Sequence, residues 1–218
     1  PLTPFEPALP LDGKEKVERV DPENAQLHTI PVSPIGYGEA EKILSQMNGD
    51  PVPQSWQGGL PFTYRLQGGS SLTVRLKVDQ KIDFVRATNV IGMLKGTDAP
   101  DEWIILGCHL DSWGFGATDP SSGTAMLLSL SQTLGKLKDE GYSPKRSILI
   151  GHWDAEEHGV IGSTEWVEQM REELNAKGVI YMNFDGAVSG KGFGVSSAPT
   201  LKKLLVEASK DVKYPYTD

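Results

Sequence analysis

The residues of this sequence best suited to chemistry are one histidine and several acids, most of them standing just beyond an apolar run. His109 and Asp111 follow Trp103-Ile104-Ile105-Leu106. Glu156 and Glu157 follow the run from Ser147 to Gly151, Asp185 follows Val179 to Phe184, and Asp119 lies ten residues after His109. Short apolar runs of this kind read as buried strands, and in open α/β sheets the site forms in the crevice beyond the carboxyl ends of the strands. Residues placed just after several such runs therefore converge. An imidazole nitrogen together with carboxylate oxygens suits zinc, which takes three or four such ligands and keeps a position open for water when it is catalytic. A carboxylate has two oxygens, so one Asp can hold two metals about 3.5–4 Å apart, and Asp119 is the candidate for that bridge. The adjacent pair Glu156-Glu157 can divide its tasks, because neighbouring side chains at a strand end point in different directions. One then binds metal while the other reaches the attacking water as general base. The alternatives are a solvated acidic turn for Asp154, Glu156 and Glu157, and a turn or helix-cap role for Asp185.

For these groups to meet, the chain must supply parallel strands and the helices that cross between them. Trp103 to Leu106, Ser147 to Gly151 and Val179 to Phe184 supply the strands. A helix is expected over Ser122 to Leu137, with Met126, Leu127, Leu130 and Leu134 at helical spacing, and a second, charged one over Ser163 to Lys177. A third amphipathic helix is expected over Pro199 to Lys210. Phe84 to Leu94 should begin the central strands. Upstream, Pro1 to about Val32 is rich in proline and charge and reads as an irregular connection. Gly36 to Met47 gives a helix, and Ser71 to Asp79 alternates Leu72, Val74, Leu76 and Val78 with polar neighbours, which predicts a strand with one wet face. The Asp119-Pro120 bond is expected to be cis, since X-Pro bonds alone reach that form at a cost of only about 0.5–1 kcal/mol.

Composition narrows the class. The chain has 218 residues, a formal net charge of −8 and one cysteine. The charge argues against nucleic-acid binding, for which a basic face is expected. A single cysteine excludes an internal disulfide framework, and Cys108 reads as a buried structural thiol. No apolar run reaches the ~18–20 residues of a membrane span, and the sequence opens without a basic-then-apolar leader.

GCHLDSW (107–113), Asp119-Pro120, WDAEEHG (153–159) with STEW (163–166), and Asn183-Phe184-Asp185 together resemble the di-zinc exopeptidases related to glutamate carboxypeptidase II, a group that also contains the transferrin receptors. IPVSPIGYGEAEKIL (30–44) and NVIGMLKG (89–96) extend the resemblance over nearly the whole chain. It implies a three-layer α/β/α zinc-exopeptidase domain, incomplete, over residues 84–218, preceded by the end of an apical protease-associated domain over 1–83. It implies two zinc ions, with His109 and Asp185 on the first, Asp119 bridging and Glu157 on the second. Glu156 becomes the general base, and Asp111 is expected to accept the other imidazole N–H of His109. The family's second zinc also takes a histidine from a segment beyond the matched region, and His28, His152 and His158 do not align with it.

The resemblance further implies a calcium site at Thr3, Glu6, Glu165 and Glu168. The last two share a helix face, and solvated helix charges are the alternative reading of them. A peptide substrate, an extracytoplasmic setting, and homodimerisation only in the full-length protein are implied in the same way. The chain is expected to be a fragment, with any signal or anchor upstream. Three functions stay open: a glutamate carboxypeptidase-like enzyme, an aminopeptidase or dipeptidase of the same chemistry, and a non-catalytic receptor. Val195 stands where glutamate carboxypeptidase II has an arginine, which weakens the expectation of acidic substrates.

Overall fold

The computed structural model describes residues 30–81, 83, 85–188 and 190–213. They fall into two compact units, one ending at residue 85 and the other beginning at residue 86. In the first, helix α1 (Tyr37–Leu44) precedes strands β1 (Asn48–Pro51) and β2 (Arg65–Gln67), which pair antiparallel. Gln57 clasps the connection between them, donating to the Val52 carbonyl at 3.0 Å and accepting the Tyr64 N–H at 2.9 Å. The strand expected over Ser71 to Asp79 does not form. Alternation describes a surface that suits a sheet, but a strand exists only when a partner satisfies its backbone. Among the described residues none pairs with this segment, and Val74 and Leu76 are exposed.

The second unit is built on a four-stranded sheet of β3 (Val90–Leu94), β4 (Ala99–His109), β5 (Arg146–Trp153) and β6 (Gly178–Asn183), in the order β3-β5-β4-β6. β4 runs parallel to both β5 and β6, while β3 is antiparallel to β5. Among the described residues of the expected opening stretch, only 90–94 are strand. Helix α2 (Ser121–Asp139) covers one face, where Leu127 is fully buried with Leu106, Cys108 and Ile150, and Met126, Leu130 and Leu134 pack beside them. Burying each such aliphatic side chain contributes roughly 1.5–3 kcal/mol. The other face carries Trp103, Ile105, Leu149, Trp153 and Trp166, backed by Met170 and Leu174. The single helix expected over 163–177 is two, α3 (Ile161–Gln169) and α4 (Arg171–Lys177), broken at Met170 with φ −97° and ψ 17°. The break lets Trp166, Met170 and Leu174 all rest on the same cluster. A last helix, α5 (Lys202–Lys210), follows a short 3-10 turn over Pro199–Leu201.

Register decides where the acids arrive. His109 lies opposite Trp153, and Gly107 lies opposite Asn183. The residues just past β5 and β6 therefore reach the level of His109 at one end of the sheet.

Candidate metal centre

His109 ends β4 with its side chain 1% exposed. Its Nε2 is 2.7 Å from Asp119 Oδ1 and 3.9 Å from Glu156 Oε2, and its backbone N–H donates to Asp185 Oδ1 at 3.2 Å. Donor atoms of His109, Glu156 and Glu157 all lie within 4.8 Å of one another. Four carboxylates from three separate segments thus gather around one buried imidazole. The Asp119–Pro120 peptide is cis, as anticipated.

Asp111 stands behind the histidine without accepting the expected hydrogen bond from its ring. Its Oδ1 is 3.5 Å from His109 Nδ1, a buried nitrogen with no hydrogen-bond partner. Its two oxygens instead accept the backbone N–H groups of Glu156 at 2.9 Å and Glu157 at 3.2 Å. Burial alone would raise the Asp111 carboxyl, yet these N–H groups and the His109 charge hold it below the usual range. The turn that presents the two glutamates is fixed from the other side by Asn89, which accepts the Asp154 N–H at 3.0 Å and donates to the Gly162 carbonyl at 2.8 Å. Ala155 and Val160 take positive φ within this turn, 55° and 59°. Such conformations in non-glycine residues persist only where the surroundings over-determine them.

The electrostatics test whether the site fits a cation. Burial disfavours the charged form of His109, but its hydrogen bond to Asp119 and the charges of Asp185 and Glu156 outweigh that, and the net direction is upward. Burial also pushes the Glu156 carboxyl up; His109 opposes this, while Asp185, Glu157 and Asp111 add to it. Neighbouring carboxylates contribute to the upward direction at both groups, the sole cause at His109 and secondary to burial at Glu156, and a divalent cation relieves that part. One imidazole nitrogen and several carboxylate oxygens form a donor set that zinc accepts. The residues present fit the ion.

Several supporting residues carried no signal that sequence alone could separate from ordinary packing. Ser122 at the start of α2 accepts the Ala187 N–H at 2.9 Å and donates to the Thr118 carbonyl, tying the Asp119 loop to the segment after Asp185. Gly123 lies against the Phe184 backbone with no room for a side chain. Beside His109, Glu156 and Asp185 opens a largely apolar cavity of about 460 Å³, whose wall includes Trp153, Val160, Trp166 and Tyr181. Cys108 is buried beneath the site and is not among the gathered donors. Neither are His152, half-buried on β5, and His158, which meets Trp113 edge-on at 5.0 Å. Of the expected calcium ligands, Thr3 and Glu6 lie outside the described residues. Glu165 and Glu168 share α3, where burial and then the charge of Glu168 push the Glu165 carboxyl up.

The second unit is thus a mixed α/β scaffold with an acidic, histidine-bearing, cation-fitting cluster at the carboxyl ends of its parallel strands. Peptidase family M28 matches residues 89–218, more than half of the sequence, and the chain belongs to that family. Similar proteins include a probable glutamate carboxypeptidase VP8 of Zea mays, 39% identical over 99% of this chain and 30% of its own length. Aminopeptidase NAALADL1 of Rattus norvegicus is 38% identical over the same shares, and a glutamate carboxypeptidase 2 homolog of Caenorhabditis briggsae is 36% identical over 99% of this chain and 29% of its own. The chain thus spans about 30% of the length of the curated relatives it matches. Among solved structures, a peptidase M28 precursor of Shewanella amazonensis overlaps with a TM-score of 0.43 and 29% identity, covering 56% of this chain and 27% of that one.

Proposed function

We propose that this chain carries most of the metal-binding and catalytic acids of a zinc-dependent exopeptidase, with Glu156 as general base. The observation that supports it is the register that gathers His109, Asp119, Glu156, Glu157 and Asp185 at one sheet end, in a member of a peptidase family. His109 and Asp185 would hold one ion, Glu157 a second, and Asp119 both. Two zinc ions, when bound, supply Lewis acidity for the scissile carbonyl and lower the pKa of a water toward ~7. Glu156 takes the proton from the attacking water and delivers it to the leaving amine. Burial and neighbouring carboxylates raise its basicity for that task. Asp111 holds the Glu156 and Glu157 backbone in place while the proton moves.

The substrate is proposed to be a peptide cleaved at its carboxyl terminus, on the names of the glutamate carboxypeptidase relatives. An aminopeptidase or dipeptidase of the same chemistry is the second reading, supported by the similarity to an enzyme named as an aminopeptidase, and Val195 weakens the expectation of acidic substrates. Peptides blocked at one end or the other separate the two. On the family resemblance we also place the peptidase domain at 84–218 after the apical remnant at 1–83, the full-length protein in an extracytoplasmic setting as a homodimer, and calcium near Glu165 and Glu168.

The test is Glu156→Gln in the longest natural chain that contains this sequence. Turnover should fall by about 10²–10⁴-fold, the usual contribution of a general base, with zinc content unchanged. Full activity in that variant would refute the role of Glu156. A zinc-to-protein ratio near two that collapses in Asp119→Ala supports the bridge, and a ratio near zero in the unaltered protein refutes the metal reading.

A further inference from the structure

We propose that Tyr181 and Asn183 are positioning residues, a hydrogen-bond relay anchored on Trp153 that sets the orientation of the Asp185 carboxylate for metal ligation. The inference rests on the reading of Asp185 as a ligand. Tyr181 and Asn183, two apart on β6, point to the same face, and Asp185 lies two residues past the strand end, where Asn183 reaches it. Trp153 Nε1–H donates to the Tyr181 hydroxyl at 3.0 Å. That hydroxyl donates to Asn183 Oδ1 at 2.6 Å, and Asn183 Nδ2–H donates to Asp185 Oδ2 at 2.6 Å.

The direction of every bond follows from its first member. An indole nitrogen is a donor only, so the Tyr181 oxygen must accept from Trp153 and turn its own proton toward Asn183. The Asn183 amide then presents its oxygen to Tyr181 and its NH₂ to Asp185. Without the hydroxyl the amide is free to flip and to set its oxygen against a carboxylate.

Two further observations agree. Trp153 on β5 and Tyr181 on β6 lie either side of β4, and they meet above Gly107. A Cβ there would collide with the Tyr181 hydroxyl and come within 2.5 Å of Trp153 Nε1. The absent side chain is what leaves room for the bond. At the far end, Asp185 Oδ1 accepts the His109 N–H while Oδ2 accepts from Asn183. Each oxygen is thereby oriented with one lone pair used and one left for an ion.

The experiment measures zinc affinity, by competition with a chromophoric chelator, and the cobalt absorption spectrum in Tyr181→Phe, Asn183→Ala and the double variant of the longest natural chain. Trp166→Phe, which packs on Trp153 without joining the relay, is the control for packing loss. Partners outside the ligand shell are worth about 10–100-fold in metal affinity. Each single variant should weaken zinc binding by that factor and change the cobalt bands, with little change in the unfolding temperature of the metal-free protein. The double variant should be no weaker than Asn183→Ala, because both act through one contact. Affinities within twofold of the unaltered protein would overturn the relay. So would losses that add and track metal-free stability, or an equal loss in Trp166→Phe. If the unaltered protein binds no zinc, the metal reading falls first and the relay with it.

Discussion

Adding a single methyl group at Gly123 sets two physical effects against each other with opposite signs. Gly123 lies in the first turn of α2, where alanine is favoured over glycine by about 0.8–1.0 kcal/mol in a helix interior. Propensity alone therefore predicts that Gly123→Ala stabilises. The surroundings predict the reverse. A Cβ at this position would strike the Phe184 carbonyl oxygen and lie 2.6 Å from its carbon and 2.9 Å from the Asp185 carbonyl oxygen, where ordinary contact begins near 3.4 Å. Both sides of that contact are backbone, and relieving the clash with the Phe184 oxygen requires the gap to open by well over an ångström. Neither side can retreat freely. The Phe184 N–H is bound to the Gly107 carbonyl at 2.9 Å, and α2 is held by the fully buried Leu127 and by the Ser122 bond to Ala187. Overpacking typically costs 1–3 kcal/mol, and a rigid backbone clash belongs at the upper end. Loss of one hydrogen bond adds about 1 kcal/mol. After the propensity gain is deducted, a net destabilisation of roughly 2–3 kcal/mol is expected. Urea denaturation of the metal-free protein measures it, and chelator competition measures the companion effect, since the shift parts the Asp119 loop from Asp185. A variant as stable as the unaltered protein, or more so, would refute the packing argument and leave propensity as the stronger term.

Asp111→Ala removes the acceptor for two backbone N–H groups; a charged acceptor is worth about 1.5–3 kcal/mol per bond, so a loss of at least ~2 kcal/mol is expected in urea denaturation. Asp111→Asn should recover only part of this, because its NH₂ must face one of the two N–H groups; full recovery would show that Asp111 does not hold the turn through both oxygens. His152 is held below its ordinary 6.5 by burial. Its folded form binds fewer protons than the unfolded chain, so its contribution is a loss of stability as pH falls through 6.5 toward the lower folded value. Subtracting the stability–pH curve of His152→Gln should isolate that loss, and superposable curves would refute it.

The parts of this molecule that were legible in sequence are those where one local pattern decides the outcome. The runs around Ile105, Leu149 and Tyr181 are short, apolar and followed by acids, and they become the three parallel strands. The spacing of Met126, Leu127, Leu130 and Leu134 marks the buried stripe of α2. The grouping of His109, Asp119, Glu156, Glu157 and Asp185 followed from strand-end placement and the family resemblance together. What stayed hidden depends on partners far away in the chain. Asn89 and Asp154 are 65 residues apart, and nothing local marks either as half of a clamp. Gly107 and Gly123 look like any glycine until the backbone or the indole they admit is in place. The alternation over 72–78 misled for the same reason, because period-two patterning states which face would be wet and not whether another strand is there to pair. Met170 ended a helix that its neighbours' propensities would have continued, since three side chains gained the core by the bend.

β6 has consequences beyond the acid it delivers. Among the described residues it pairs only with β4, its outer backbone edge is free, and Val179 and Tyr181 are about half exposed. Open edges are where sheets fray and where foreign strands add. Asp185 therefore hangs from an edge strand of the sheet, and an ion held by it would act as a staple. By mass action, a ligand that binds only the ordered edge stabilises that edge by an amount that grows with the logarithm of its concentration over its dissociation constant. Metal loading and the order of that edge would then be two readings of the same equilibrium, because a frayed strand would release the ion and offer its backbone to another strand.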